Sequence, residues 1–281
     1  MDYKKMMTVA GALICASAMA GVESSVVGYQ GVATENAGYK SFVGATFSKV
    51  DGSKVTLGDI GINANFGVNG DTITLLDEYG GAIASYVYFD KEMVDGLNDG
   101  TGFKFQVGWY NYSEVENWDG ESTLATYNST QLYAGESMMV QAATEGAGLV
   151  FSGLVDDIDI NVICENPGAK TFLSNCTPVD LTLGDILPND KFGINGDTIT
   201  FLDQYGGATG SYVYFDQEMV DGLNDGTGFK FVVGWYNYTE IENWDGESTL
   251  SAYNDISLPA GKGFLVQAAV AGAGIVVPSA L

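Results

Sequence analysis

Residues 71–125 read DTITLLDEYGGAIASYVYFDKEMVDGLNDGTGFKFQVGWYNYSEVENWDGESTLA, and residues 197–251 repeat this stretch at an offset of 126 residues without a gap. The two copies are identical at 46 of 55 positions. A repeat of this length and fidelity is the signature of a tandem duplication, so the chain is expected to carry two copies of one folding unit. We call them the first repeat and the second repeat.

The repeated stretch alternates apolar and polar side chains in short runs that Gly-rich turns separate. Residues 85–89 place Val87 and Tyr86 on opposite faces of a predicted strand, and residues 103–112 continue the alternation with Trp109 on the face assigned to the core. Short strands, frequent turns and no sustained 3.6-residue period are typical of antiparallel sheets. We therefore predict an all-β protein with two tandem homologous antiparallel β-sandwich domains of jelly-roll type.

The first twenty residues have the pattern of a cleaved export signal. Lys4 and Lys5 precede an apolar run over residues 6–16, and Ala18-Met19-Ala20 fits the small-x-small rule for cleavage. The run is too short to span a membrane core of about 30 Å, and no later segment predicts a membrane span in the mature chain. The predicted division is a signal peptide at residues 1–20, one β-sandwich at residues 21–155 and a second at residues 156–281.

The charge balance narrows the function classes. The chain has 36 acidic and 11 basic residues, every base is Lys, and there is no His, for a net charge of −25. Such a charge repels phosphate backbones, which argues against a nucleic-acid partner, whereas it suits Ca²⁺ or basic partners. The lack of His removes the Ser-His and Cys-His pairs of common hydrolases, so we predict that the protein is not an enzyme.

Two cysteines of the mature chain flank a turn of the second repeat. Cys164 and Cys176 stand where the first repeat has Thr34 and Thr46. In an oxidising compartment a pair at this spacing is expected to form a disulfide, which would stabilise the fold by about 3 kcal/mol less any strain. The alternative is two buried thiols.

A Gly-rich acidic loop follows a single helical turn predicted at residues 92–94, and it recurs unchanged in the second repeat. Asp and Asn oxygens spaced around Gly can supply the ligands that Ca²⁺ requires. The spacing is not that of an EF-hand, and a hairpin turn accounts for the same residue types, so the turn is the preferred interpretation. The candidate calcium ligands are Asp95, Asn98 and Asp99, with Asp221, Asn224 and Asp225 in the second repeat.

Aromatic side chains that follow this loop form the best candidate binding surface. Outward Tyr and Trp rings on a sheet can stack on sugar rings, whereas the alternative places the Trp residues in the core and pairs the Tyr residues across strands. The candidates are Trp109, Tyr110, Tyr112 and Trp118, and Trp235, Tyr236, Tyr238 and Trp244. A neighbouring acidic group could bind a cation or act in glycoside cleavage, although a solvated acidic loop is the preferred interpretation; it contains Glu114, Glu116, Asp119, Glu121, Glu240, Glu242, Asp245 and Glu247.

The ends of the repeats carry a resemblance. The opening Val-Val-Gly-Tyr-Gln at residues 26–30 and the closing Leu-Pro-Ala-Gly-Lys-Gly-Phe-Leu-Val-Gln at residues 258–267 resemble bacterial exported tandem β-repeat surface proteins of unsettled role. The resemblance implies an extracellular or cell-surface location in a bacterial envelope and brings no catalytic residues.

Three functions follow from these observations, in order of preference. The first is a non-catalytic structural or adhesive surface protein whose copies pair strands into a fibre or layer, with residues 21–30 as the donated strand. The second is a lectin-like secreted protein that binds glycans through its aromatic faces, with or without Ca²⁺. The third is a hydrolase that uses carboxylates alone.

Overall fold

The computed structural model is mostly β-sheet with few helices, and its strands form several antiparallel sheets, as the sequence predicts. The predicted signal peptide at residues 1–20 lies outside the described residues. The structure describes residues 27–33, 37–38, 40–44, 47, 49, 53–67, 70–77, 79–132, 137–155, 159–175, 177–193, 196–203 and 206–279.

The first repeat forms two antiparallel sheets. Its elements are β1 (Val27–Ala33), β2 (Lys40–Gly44), a 3-10 turn (Leu57–Asp59), β3 (Gly61–Ile62), β4 (Thr72–Leu76), β5 (Ala82–Phe89), α1 (Lys91–Asn98), β6 (Gly108–Asn111), α2 (Tyr112–Glu116), β7 (Ser137–Gln141) and β8 (Gly148–Leu154). The strand order is β2-β7-β4-β5-β6 in the five-stranded sheet and β1-β8-β3 in the three-stranded sheet. The N-terminal strand β1 pairs with β8 over seven residues, from Val27 opposite Leu154 to Ala33 opposite Gly148.

The second repeat reproduces this arrangement. Its elements are β9 (Ile160–Ile163), β10 (Lys170–Ser174), β11 (Leu181–Thr182), a 3-10 turn (Leu183–Asp185), β12 (Leu187–Pro188), β13 (Thr198–Leu202), β14 (Ala208–Phe215), α3 (Gln217–Asn224), β15 (Gly234–Asn237), α4 (Tyr238–Glu242), β16 (Ser257–Leu258), β17 (Gly263–Gln267) and β18 (Gly274–Val277). The five-stranded sheet has the order β10-β17-β13-β14-β15, the three-stranded sheet has the order β12-β18-β9, and β11 pairs with β16.

A hydrophobic core lies between the two sheets of each repeat. In the first repeat Ile73 and Trp109 of the five-stranded sheet are fully buried together with Leu149 and Phe151 of β8. Burying one such side chain stabilises the fold by roughly 1.5–3 kcal/mol. The equivalent core of the second repeat contains Trp235 and shares no residue with the first, so each repeat has a core of its own.

The outer face of each five-stranded sheet is also covered. In the first repeat Phe89 and Tyr110, which point away from the sandwich core, are buried beneath Val94 of α1 and Phe105 of the following loop. Helix α1 spans two turns rather than the single turn predicted, and Asp90 caps its start by accepting a hydrogen bond from the Met93 amide. The alternating strands therefore bury both of their faces near the β5–β6 hairpin.

The predicted strand over residues 103–112 is shorter in the structure. At its start, the backbone forms hydrogen bonds with side chains rather than with a neighbouring strand. The Asn98 amide group accepts from the Phe105 N–H at 2.8 Å and donates to the Phe105 carbonyl at 3.0 Å. The Tyr110 hydroxyl accepts from the Gln106 N–H and donates to its carbonyl. These contacts satisfy the backbone of the loop without a neighbouring strand, so regular pairing begins only at β6.

The two repeats contact each other through equivalent residues. The Phe42 and Phe172 rings stack with centroids 5.1 Å apart and planes inclined by 14°. Phe172 lies against Gly80 in the first repeat, where a Cβ atom would stand 2.7 Å from its ring, and Phe42 lies near Gly206, the glycine equivalent to Gly80. The contact thus has the form of a self-complementary interface between two copies of one unit.

Backbone bonds strengthen this contact at one point. Val43 of β2 forms an antiparallel bridge with Lys262, and the Gly44 N–H donates to the Gly261 carbonyl at 3.3 Å. The Ser137 hydroxyl donates to the Leu173 carbonyl. The edge of the first five-stranded sheet is therefore joined to the second repeat by main-chain pairing as well as by the stacked rings.

We predict that Phe42 and Phe172 are energetically coupled. Stacked aromatic pairs contribute about 0.5–1.5 kcal/mol beyond area burial, so Phe42→Ala and Phe172→Ala should cost less together than the sum of the single changes by that amount. Denaturant unfolding of the full chain measures each cost. Phe42→Ala combined with Phe229→Ala, which lies in a separate cluster, serves as the additive control; additivity of the Phe42 and Phe172 changes would contradict the contact.

Candidate functional site

A surface of tyrosines and carboxylates flanks the short helix α2. The Tyr127 hydroxyl donates to the Glu114 carboxylate at 2.5 Å, and the Tyr112 hydroxyl bonds the Glu116 carboxylate one helical turn away. Asn111 caps the helix by accepting from the Ser113 and Glu114 amides. We call Tyr112, Glu114, Glu116 and Tyr127 the tyrosine–carboxylate face; its second copy contains Tyr238, Glu240, Glu242 and Tyr253.

These hydrogen bonds change the protonation of the phenols. The bond to Glu114 raises the pKa of Tyr127 above its ordinary value, because the carboxylate stabilises the protonated phenol, and the bond to Glu240 raises that of Tyr253 in the same way. The Glu114 and Glu240 carboxylates therefore each accept a hydrogen bond from a tyrosine of their own repeat. The face offers carboxylate oxygens as acceptors and tyrosine rings as stacking surfaces.

The eight aromatic candidates fall into two groups. Trp109 and Tyr110 of the first repeat, like Trp235 and Tyr236 of the second, are at most 1% exposed and pack in the cores, which corresponds to the core alternative for these rings. Their faces are covered by protein, so they cannot stack on a ligand from solution without a local opening of the fold. The half-buried or exposed rings are those of Tyr112, Trp118, Tyr238 and Trp244.

Trp118 is held in place by its own repeat. Its indole N–H donates to the Ser122 carbonyl at 2.6 Å, and its ring meets Phe103 and Phe105 edge-on. Trp244 makes the equivalent contacts in the second repeat. These two rings cover the outer layer and leave part of their surface exposed.

The candidate calcium ligands lie around the end of α1. Asp95 forms an ion pair with Lys91 at 2.8 Å, whereas in the second repeat Asp221 accepts from neutral Gln217. The Asn98 oxygen already accepts from Phe105, so a cation at this loop would compete with a structural hydrogen bond. Asp99 caps the C-terminal end of α1 through its backbone.

The second repeat brings its three candidate ligands together. Asp221, Asn224 and Asp225 line one shallow depression of the surface. Across the described ranges, no group of three or more Cys, Asp or Glu side chains is arranged to hold a metal ion. Calcium binding at Asp95, Asn98, Asp99 and their equivalents stays a prediction.

Two further carboxylates are buried and serve the fold. Asp197 accepts hydrogen bonds from the Ala269 and Gly193 amides, and Asp71 accepts the equivalent bonds in the first repeat. Burial raises the pKa of Asp197. Because both oxygens of each side chain are occupied by backbone N–H groups, these residues tie loops to the sheet.

The structure describes one of the two cysteines of the predicted disulfide. Cys164 is buried with its sulfur 3.8 Å from the Thr171 hydroxyl oxygen. Cys176 lies outside the described residues. The Cys164–Cys176 disulfide stays a prediction.

Sequence reasoning missed Tyr127 and Tyr253 as members of the face. Each lies thirteen residues beyond the glutamate that it contacts. No local pattern joins the two positions, since the chain leaves α2, passes through a loop and returns. The Tyr86 ring, 5.6 Å from that of Tyr127, helps to hold it there.

Comparison of the chain with protein-family models, with curated proteins and with solved structures finds no match. Within the described part of the chain, no helix has the length and apolar character needed to cross a membrane.

We predict that Glu114 sets the titration of Tyr127. A raised folded-state pKa contributes stability at pH values below the unfolded phenol pKa of about 10, and this contribution is lost as pH rises through the folded-state value. Glu114→Gln should therefore lower the pKa of Tyr127, measured by NMR of ring-labelled tyrosine with Tyr127→Phe for assignment. Glu240→Gln is the matched control and should lower the pKa of Tyr253 in the second repeat while leaving that of Tyr127 unchanged; an unchanged Tyr127 titration in Glu114→Gln would refute the pairing.

Proposed function

We propose that the protein is an exported, non-catalytic structural or adhesive surface protein that assembles into a fibre or layer by strand pairing between copies. The observation that carries the proposal is the position of β1, which is the first described strand and lies at the edge of its sheet, paired with β8. In this proposal the two repeats are jelly-roll-like sandwich domains that follow a cleaved signal peptide.

The pairing of β1 with β8 supplies a route to assembly. The same seven residue pairs could form between β1 of one copy and β8 of the next, so exchange of this strand would join copies without any new kind of contact. The first four residues of β1, at positions 27–30, belong to the stretch 21–30 that the sequence analysis predicts as the donated strand. Successive exchange is open-ended, since each copy both donates and accepts one strand.

The second repeat has no equivalent freedom. Its strand β9 occupies the place of β1, pairing with β18, but in the chain it follows the whole of the first repeat. The contact between Phe42 and Phe172 then gives each copy an internal joint. A chain of copies linked through β1 would therefore alternate between covalent and strand-exchanged connections.

Strand exchange predicts a crosslink between copies. Tyr29 faces Ser152 in the β1–β8 register, so Tyr29→Cys with Ser152→Cys should give a ladder of covalent oligomers on oxidation of assembled mature protein. Electron microscopy of the same sample should show regular polymers, and removal of residues 21–30 should abolish them. If the sample forms polymers but the crosslinks join the cysteines introduced at positions 29 and 152 of the same copy, strand exchange is contradicted. Dispersed particles under all conditions would contradict assembly.

A second candidate function is glycan binding, with or without Ca²⁺. It is favoured by the tyrosine–carboxylate face, which presents the partly exposed Tyr112 ring beside carboxylates and occurs twice in the chain, and by the partly exposed Trp118 ring, which follows α2. Aromatic stacking with neighbouring acceptors is the common mode of sugar recognition on β-sheets.

Glycan binding predicts saturable binding on a glycan array that Tyr112→Ala with Tyr238→Ala abolishes. Tyr88→Phe with Tyr214→Phe is the control, because these tyrosines pack against the buried Trp109 and Trp235 rather than on the proposed surface. The array is run with and without Ca²⁺ to detect dependence on the loop carboxylates. Silence of the unmodified protein in both conditions would contradict this function and leave the assembly proposal standing.

A further inference from the structure

An apolar pocket lies in the first repeat beside the β4–β5 hairpin. Its volume is about 90 Å³. Five of the described side chains that line it are apolar: Leu75, Leu76, Ile83, Leu132 and Met138. A pocket of this size exceeds what one water molecule requires, and its walls give water few partners.

The polar side chains of the lining contribute little to recognition. The Ser137 hydroxyl donates to the Leu173 carbonyl of the second repeat, so its proton is already engaged. Gln131 is exposed to solvent. The pocket is therefore suited to an apolar group rather than to a charged or strongly hydrogen-bonding one.

The second repeat has larger side chains at two of the positions that correspond to the pocket lining. Leu75 faces Met138 across strands β4 and β7, and the equivalent cross-strand pair in the second repeat is Phe201 and Phe264. The two phenyl rings meet edge-on with centroids 6.5 Å apart. Two larger, flat groups thus stand where the first repeat has a leucine and a methionine.

A second sequence difference between the repeats lies near the Phe201 ring. Phe201 lies against Tyr212, with ring centroids 5.7 Å apart. A Cβ atom on Gly210 would stand 2.7 Å from the Tyr212 hydroxyl oxygen, whereas the first repeat has Ala84 at this position. Leu75/Phe201 and Ala84/Gly210 are two of the nine differences within the 55-residue repeat, and both concern the packing of this one region.

We propose that the first-repeat pocket is a binding site for a small apolar molecule that carries one six-membered ring. The ring is the group that the second repeat supplies from its own chain as Phe201. Transfer of such a ring from water into an apolar pocket is favourable, because apolar surface is removed from water on both sides. This proposal does not depend on the proposed function, since the pocket is internal to one repeat.

Toluene is the probe that tests the proposal. The full mature chain, labelled with ¹³C at the methionine methyl groups, is titrated with toluene and followed by NMR, with Met138→Leu for assignment. The Met138 signal should shift saturably, while Met93 and Met219, which are exposed on their helices, should not. Absence of a saturable Met138 shift up to the solubility of toluene would overturn the proposal.

Variants that exchange residues between the repeats test the location. Leu75→Phe with Ala84→Gly transplants the second-repeat residues and should eliminate the saturable shift, because the phenyl ring occupies the pocket. Val115→Ile, another difference between the repeats but distant from the pocket, should leave binding unchanged. Undiminished binding in the transplant, or equal loss in both variants, would overturn the proposal; if the transplant fails to fold, Leu75→Phe alone, which keeps the Met138 signal, replaces it under the same criteria.

Discussion

The structure depends on two consecutive aromatic residues being buried on opposite sides of one strand. Trp109 closes the core between the two sheets, and Tyr110, the next residue, closes the outer layer. A strand with both faces buried requires a second layer over the sheet, which α1 and the loop around Phe105 provide. The amide of Asn98 and the hydroxyl of Tyr110 then bond the backbone of that loop. The residues of the inner and outer layers named in this paragraph all lie within the 55-residue repeat.

This constraint decides which sequence predictions hold. The duplication and the alternation of short apolar runs predict the antiparallel sheets, because both are local patterns that the strand period fixes. The alternation also assigns Trp109 correctly to the core. It could not reveal that Tyr110 is buried too, since alternation separates two faces of a strand without saying whether a further layer covers the second. The pairing of Tyr127 with Glu114 was equally hidden, because tertiary packing brings those positions together.

Duplication gives the chain two cores and one interface between equivalent surfaces. Phe42 and Phe172 are equivalent residues and stack on each other, so the two repeats contribute nearly the same surface to the interface. Some sequence differences between the repeats nevertheless change the packing, for example at Leu75 and its equivalent Phe201. In the first repeat Leu75 lines a pocket, and in the second repeat Phe201 meets the Phe264 ring edge-on. The proposed assembly between copies and the proposed binding of a small ligand therefore involve separate parts of the same repeat.

The most direct measurement of the central claim is amide hydrogen exchange of the full chain, followed by mass spectrometry. If β6 and β15 are buried on both faces, peptides that contain them should exchange as slowly as those that contain β4 and β13, although β6 and β15 are edge strands. The two repeats should also give matching patterns along residues 71–125 and 197–251. Rapid exchange at β6 and β15 would show that the outer layer does not cover the sheet, and would contradict the structure described for both repeats.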